Sequence, residues 1–272
     1  MLLRMTRKFF NSPISAFMTQ DERRIWLIRA LLVEQQYQDV TIPADAFVQK
    51  RLLRGLLNVR PPMEASAEFL KIQGEYLEQA TREKGITSLS DLKPIRPHRY
   101  LWQGDITTLA VDAIVNAANS ALLGCMAPNH LCIDNAIHTF AGVELRLACH
   151  EIMQAQGHEE ATGTAKITPG FHLPAKYVLH TVGPIVTGPL SDRHERQLAA
   201  CYRSCLELAE ANGCQSIAFC CISTGVFRFP KHRAAEIAIS AVDAYCAETG
   251  SEIDVIFNVW KEQDHAIYRS LL

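Results

Sequence analysis

The chain has 272 residues, of which 48% are hydrophobic, and it carries a formal net charge of −2 at pH 7. This length and hydrophobic content predict one large domain with a well-filled core, or one domain plus an extension. No stretch approaches the roughly 20 consecutive apolar residues of a membrane helix, and acidic residues outnumber basic ones in the second half, so we expect neither a membrane partner nor a nucleic-acid partner.

The first twenty residues leave two cellular locations open. They contain Arg4, Arg7 and Lys8 among several Ser and Thr residues and no acid, a composition that organelle transit peptides share. An ordinary solvated start has the same features. The apolar run of a secretory signal is missing here. We therefore expect a cytoplasmic protein, with mitochondrial import as the alternative.

Helical periodicity dominates the chain from residue 21 to about residue 95. Apolar residues recur on one broad face of each segment, and proline or polar stretches separate the segments. We assign residues 1–95 to an N-terminal helical extension with no evident chemistry, interpreted as a packing or partner surface. The predicted helices are Asp21–Gln36, Asp45–Leu57, Ser66–Lys84 and a short fourth near Ser88–Leu92.

Strands and helices alternate in the rest of the chain, which we assign to a second domain at residues 96–272. Predicted strands are Tyr100–Trp102 with Leu109, Ala113–Asn116, Ala165–Thr168, Tyr177–Thr181, Ser216–Cys221 and Ile253–Val259. Predicted helices are Cys132–Ala155, Asp192–Asn212, Lys231–Glu248 and Gln263–Leu271. Such alternation predicts a largely parallel sheet covered on both faces. Ligands of these sheets bind beyond the carboxyl ends of the strands, which directs attention to the loops after Asn116 and Cys221.

The strongest local signal is a pair of thiols and an imidazole, Cys125, His130 and Cys132, within eight residues. Thiolates combined with imidazole suit zinc. A structural zinc site takes a fourth protein ligand, for which His138 is the nearest candidate, whereas a catalytic site leaves that position to water or substrate. Spacing alone also permits the alternative that these are ordinary buried cysteines.

Segments on both sides of this loop resemble the macrodomain family, and the likeness extends over about residues 98–260. They are Gly104–Thr107, Val115–Asn119, Ile133–His138, Thr162–Thr168, Tyr177–Pro184 and Ile222–Phe227. The resemblance implies an α/β fold, namely a three-layer α/β/α macrodomain with a mostly parallel central sheet. Most members carry glycines where this chain has the Cys/His/Cys loop, a departure that marks the zinc-containing branch with its N-terminal helical extension. The resemblance therefore implies a Zn²⁺ cofactor bound by Cys125, His130 and Cys132.

The resemblance also implies ADP-ribose as ligand and assigns residues to its parts. Asp105 would accept from the adenine amine and the Ile106 N–H would donate to the same edge, with an N-cap or turn role as the alternative for Asp105. Phe227 would lie against the distal ribose, or else be a core aromatic. Successive N–H groups of the turn between a strand and a helix would hold the phosphates; that turn comprises Ser223, Thr224, Gly225 and Val226.

For catalysis, Asn119 would bond to the distal ribose hydroxyls, and Asp134 would orient a water or a ribose hydroxyl or, alternatively, only cap a helix. Zinc bound here could lower the pKa of a bound water, or could bind a ribose hydroxyl and a substrate oxygen as a Lewis acid, and the sequence is compatible with both. The implied function is hydrolysis of a glycosidic or ester bond that removes mono-ADP-ribose from modified protein side chains. The alternative is a non-catalytic ADP-ribose reader with a structural zinc. An ADP-ribosylated protein is the implied partner, in some bacteria a lipoyl-carrier protein.

Overall fold

The computed structural model describes residues 18–37 and 39–272. The transit-peptide interpretation depends on the first twenty residues, most of which lie outside these ranges. Within them, no helix combines the length and the apolar character that crossing a membrane requires.

Three helices form the N-terminal extension: α1 (Gln20–Glu34), α2 (Ala46–Val59) and α3 (Ala67–Lys84). Each begins where a Thr, Asp or Ser side chain accepts a hydrogen bond from a backbone N–H of the first turn, which satisfies a donor that the helix itself cannot. Their apolar faces enclose a small core around Leu31, Leu53 and Ile72, and Val143 of the second domain completes it. The predicted fourth helix is a single 3-10 turn, Leu89–Asp91.

A six-stranded sheet organises the rest of the chain. Its strands, in spatial order, are β2 (Arg99–Gln103), β8 (Asp254–Val259), β7 (Ser216–Phe219), β4 (Ala113–Ala118), β6 (Tyr177–Val182) and β5 (Ala165–Pro169). Every neighbouring pair is parallel except β5 with β6. Leu109 lies in a separate two-stranded pair, formed by β1 (Thr87–Ser88) and β3 (Leu109–Ala110). The predicted mostly parallel sheet is confirmed.

Two helical layers cover the sheet. One layer contains α4 (Ile133–Ala141) and α5 (Val143–Gln156), and the other contains α6 (Asp192–Ala211), α7 (Lys231–Thr249) and α8 (Glu262–Leu271). The predicted continuous helix Cys132–Ala155 is wrong, because Gly142 has a φ of 98° and divides it into α4 and α5. A Cβ at Gly142 would lie 2.8 Å from Nε2 of Gln73, so the extension packs directly against this break.

The parallel strands point their carboxyl ends to one edge of the sheet. The segments that follow β2, β4, β6 and β7 therefore meet there, as the predicted topology requires. These segments contain almost every residue that the sequence assigns to a site.

Candidate functional site

The Cys/His/Cys loop connects β4 to α4 and brings its three side chains together. The Sγ of Cys125 lies 3.6 Å from Nδ1 of His130. The ligand atoms of Cys125, His130 and Cys132 all lie within 4.8 Å of one another. Cys132 is the N-cap of α4, and its Sγ accepts a 3.4 Å hydrogen bond from the N–H of Asn135. Three donors this close can point at one ion.

The chemistry of this donor set fits zinc. Burial, together with the neighbouring Cys125, raises the pKa of the Cys132 thiol to about 12, so two thiolates side by side need a cation to offset them. Within residues 18–37 and 39–272, no further Cys, His or carboxylate joins the group, so a zinc ion held there would have a fourth tetrahedral position for a non-protein ligand. His138 instead lies in a separate buried cluster with Cys149 and His180.

Asp134 and Asn119, the two predicted catalytic residues, are in contact. Asp134 lies in the first turn of α4, and its carboxylate accepts from Nδ2 of Asn116 at 2.8 Å and from Nδ2 of Asn119 at 3.4 Å. Asn119 Nδ2 also donates to the carbonyl of Gly124 at 3.1 Å, next to the first cysteine. Burial raises the pKa of Asp134 to about 6. The Asp134 carboxylate, the Asn119 amide and the Cys/His/Cys loop (Cys125–Cys132) with the adjoining Gly124 therefore form one hydrogen-bonded group.

Asp105 begins the 3-10 turn Ile106–Thr108 directly after β2, and Ile106 is buried. Its Oδ1 accepts from the N–H of Thr107 at 3.0 Å, so the capping role considered from the sequence is present. Its Oδ2 accepts from Lys84 Nζ at 2.9 Å, and the side chain remains 31% exposed. The carboxylate thus has exposed surface and lone pairs for a further donor.

The predicted phosphate turn follows β7 at the same edge of the sheet. Ser223 has a φ of 64°, the left-handed conformation, and Gly183 packs against it so tightly that a Cβ there would lie 2.1 Å from the Ser223 Oγ. Gly225 and Val226 are exposed, whereas Phe227 is half-buried and accepts a bond from the Val186 N–H at 2.9 Å. Backbone N–H groups with exposed small residues form a surface suited to an anion.

Two basic residues of the extension, neither of them among the predicted site residues, also reach this site. Lys84, at the end of α3, pairs with Asp105. Arg54, on α2, donates to Asn135 and to the carbonyl of His130. Both resemble ordinary surface cations of amphipathic helices, and no local pattern distinguishes them.

The chain is similar to several known proteins. The Macro domain family model matches residues 115–238. A curated protein-ADP-ribose hydrolase from Treponema medium is 60% identical over 260 residues, covering 94% of this chain and 100% of the relative. A protein of the same name from Staphylococcus aureus strain MSSA476 is 50% identical over 247 residues, covering 90% of this chain and 92% of the relative.

Solved structures give the same result. The Trypanosoma brucei macrodomain in complex with ADP-ribose superposes with a TM-score of 0.62 at 32% identity, covering 80% of this chain and 94% of that one. The Oceanobacillus iheyensis macrodomain with ADP gives a TM-score of 0.57 at 39% identity, over 63% of this chain and 88% of that one. The three-layer fold with its N-terminal helices is thereby confirmed.

Proposed function

The chain belongs to the macrodomain family and is a protein-ADP-ribose hydrolase, and we propose that it uses a zinc ion to release mono-ADP-ribose from modified side chains. The observation that carries the zinc proposal is the cluster of Cys125, His130 and Cys132, whose ligand atoms lie within 4.8 Å of one another. The hydrolase activity favours an open, catalytic metal position over the reader alternative with a structural zinc.

These three residues would hold the ion, and the rest of the site would hold the substrate. Zinc bound here would supply Lewis acidity at a position open to water or substrate. Asp134 would orient a ribose hydroxyl or a water, because its buried carboxylate is fixed by two amide donors. Asn119 shares that hydrogen-bond network and would bind the distal ribose.

Recognition of ADP-ribose would use the two neighbouring segments. Asp105 would accept from the adenine amine through its exposed surface, with Ile106 offering its N–H to the same edge. The N–H groups of the turn 223–226 would bind the pyrophosphate, although that of Thr224 also donates to the Cys221 carbonyl at 3.3 Å. Such binding would account for phosphate recognition in a chain with net charge −2. Phe227 would border the distal ribose.

The identity of the modified acceptor protein is a separate proposal. A lipoyl-carrier protein is the acceptor that the family resemblance suggests, and we propose it as the first to test, using it mono-ADP-ribosylated beside an unrelated modified protein. Equal release of ADP-ribose from the two modified proteins would reject a preference for the lipoyl-carrier protein. We also propose a cytoplasmic location, with mitochondrial import as the alternative, and subcellular fractionation of the full chain separates the two.

Zinc content and ADP-ribose release, measured on the same preparations, test the metal proposal. We expect one zinc per chain in the wild type and both zinc and release lost in the Cys125→Ala/Cys132→Ala double variant. Cys246→Ala is the matched control, because Cys246 lies on α7 and is not part of the cluster. Full metal content in the double variant, or undiminished release after the metal is stripped, would reject the zinc proposal.

His130→Ala then separates a catalytic from a structural metal. We expect it to abolish release, whereas free ADP-ribose should still bind, because Asp105 and residues 223–226 follow β2 and β7 and not the metal loop. Calorimetry with ADP-ribose and a release assay, both on this variant, distinguish the catalytic from the structural role. Comparable loss of binding and release would indicate that zinc only shapes the fold.

A further inference from the structure

Helix α2 of the N-terminal extension contacts the metal loop through a bidentate arginine. Arg54 Nε and Nη2 donate to Asn135 Oδ1 at 3.0 and 2.7 Å, and Nη2 donates to the carbonyl of His130 at 3.1 Å. The guanidinium is half-buried in this position. One of its acceptors is thus the backbone of a predicted ligand.

Asn135 passes this constraint to the rest of the loop. Because its Oδ1 faces Arg54, its Nδ2 faces the loop and donates to the carbonyls of Cys125 and Ala127, both at 3.1 Å. Its own N–H donates to the Sγ of Cys132 at 3.4 Å. Asn135 itself is fully buried, so its side chain does not contact solvent. A single residue therefore connects the two cysteines, through its side chain to Cys125 and its backbone N–H to Cys132, and Arg54 bonds to that side chain.

Asn58, one turn later on α2, holds the middle of the loop. Its Oδ1 accepts from the N–H of Asn129 at 3.0 Å, and its Nδ2 donates to Oγ1 of Thr139 on α4 at 3.0 Å. Gly55, between Arg54 and Asn58, lets the helix approach, since a Cβ there would lie 3.2 Å from the Asn129 side chain. Helix α2 thus bonds directly to the middle of the loop, at Asn129 and His130, and acts on the Cys125 end through Asn135.

We propose that α2 completes the metal centre, with Arg54 and Asn58 as positioning residues that hold the Cys125–Cys132 loop in its zinc-binding conformation. This inference rests on the proposed zinc site. A loop already fixed in place loses little conformational freedom when it binds the ion, and removal of such outer partners typically weakens metal affinity about 10- to 100-fold. The extension is then a part of the site and not only a packing surface.

The test is a zinc-affinity titration of the full chain against a chromophoric chelator. We expect Arg54→Gln to weaken zinc binding about 10- to 100-fold. Arg54→Lys should weaken zinc binding nearly as much, because lysine retains the charge but cannot donate the two hydrogen bonds in the bidentate geometry of arginine. Arg51→Gln is the matched control, since Arg51 lies exposed on the same helix and should leave affinity unchanged.

Thermal unfolding of the metal-free proteins completes the design. We expect the two Arg54 variants to melt within a few degrees of Arg51→Gln while differing from it in zinc affinity; if Arg54→Gln does not fold, Arg54→Lys supplies the comparison. Wild-type zinc affinity in a folded Arg54 variant would overturn this inference and leave the zinc site intact. A wild-type chain that binds no zinc would overturn both.

Discussion

Gly183 packs against the predicted phosphate turn, residues 223–226. Replacing Gly183 should weaken ADP-ribose binding without unfolding the chain. The residue follows β6 and packs against Ser223 and Ile222. In Gly183→Ala, the added Cβ would come within 2.1 Å of the Ser223 Oγ and 2.8 Å of Cγ2 of Ile222. Ser223 is buried and already in the left-handed region, so it has little room to retreat.

The size of the effect follows from these distances. Ser223 is buried, which limits rotation of its Oγ, so relief of the contact would move the turn by up to roughly 1 Å, the distance needed to restore a separation of about 3 Å. A backbone N–H that donates to a phosphate at about 3 Å would then lie near 4 Å, beyond hydrogen-bond range. One lost hydrogen bond to a charged group costs about 1.5–3 kcal/mol, or about 10- to 150-fold in affinity.

Calorimetry with free ADP-ribose measures this loss, and thermal unfolding confirms that the variant is folded. Gly188→Ala is the control, because a Cβ at Gly188 meets nothing within 4 Å. Gly183→Ala/Ser223→Ala should recover part of the affinity, since it removes the Oγ contact but leaves Ile222. A folded Gly183→Ala protein with wild-type affinity would refute the placement of the pyrophosphate at residues 223–226.

Three further predictions concern single side chains. Asp134→Asn should reduce ADP-ribose release about 100-fold or more while affinity for free ADP-ribose changes only a few-fold, and equal losses in single-turnover and calorimetric assays would contradict it. Asp105→Ala should weaken ADP-ribose binding by about 1–3 kcal/mol, because the adenine amine loses its acceptor; unchanged affinity would remove the adenine assignment. Burial lowers the pKa of His172, but the hydrogen bonds and charges of Glu144 and Glu78 outweigh it and raise that pKa above 6.5. The protonated imidazole therefore stabilises the fold below about pH 6.5, and this contribution is lost as pH rises through the raised pKa. His172→Gln should lower the melting temperature more at pH 5.5 than at pH 8.5, and an equal decrease at both would contradict the ion-pair assignment.

The elements predictable from the sequence are those encoded locally. Apolar periodicity and capping residues such as Thr19 and Ser66 define the long helices, and the Cys/His/Cys spacing defines the donor cluster. The break at Gly142 was not predictable, because it depends on Gln73 of another helix, about 70 residues away, packing where a side chain would lie. The role of Arg54 could not be predicted for the same reason, since its acceptors lie 76 and 81 positions further along the chain.

The first turn of α4 joins the proposed metal site to the proposed catalytic residues. Cys132 caps the helix, Asp134 follows within the same turn, and Asn119 joins Asp134 to the carbonyl beside Cys125. Any rearrangement of the loop on loss of the proposed ion would therefore move the Asp134 carboxylate and the Asn119 amide, which we propose binds ribose, together. Asp105 follows the edge strand β2 and is held by its own turn and by Lys84, so adenine recognition has independent support. If the proposed assignments hold, a metal-free chain should still bind the adenine end of ADP-ribose, whereas the distal ribose would no longer be positioned for cleavage.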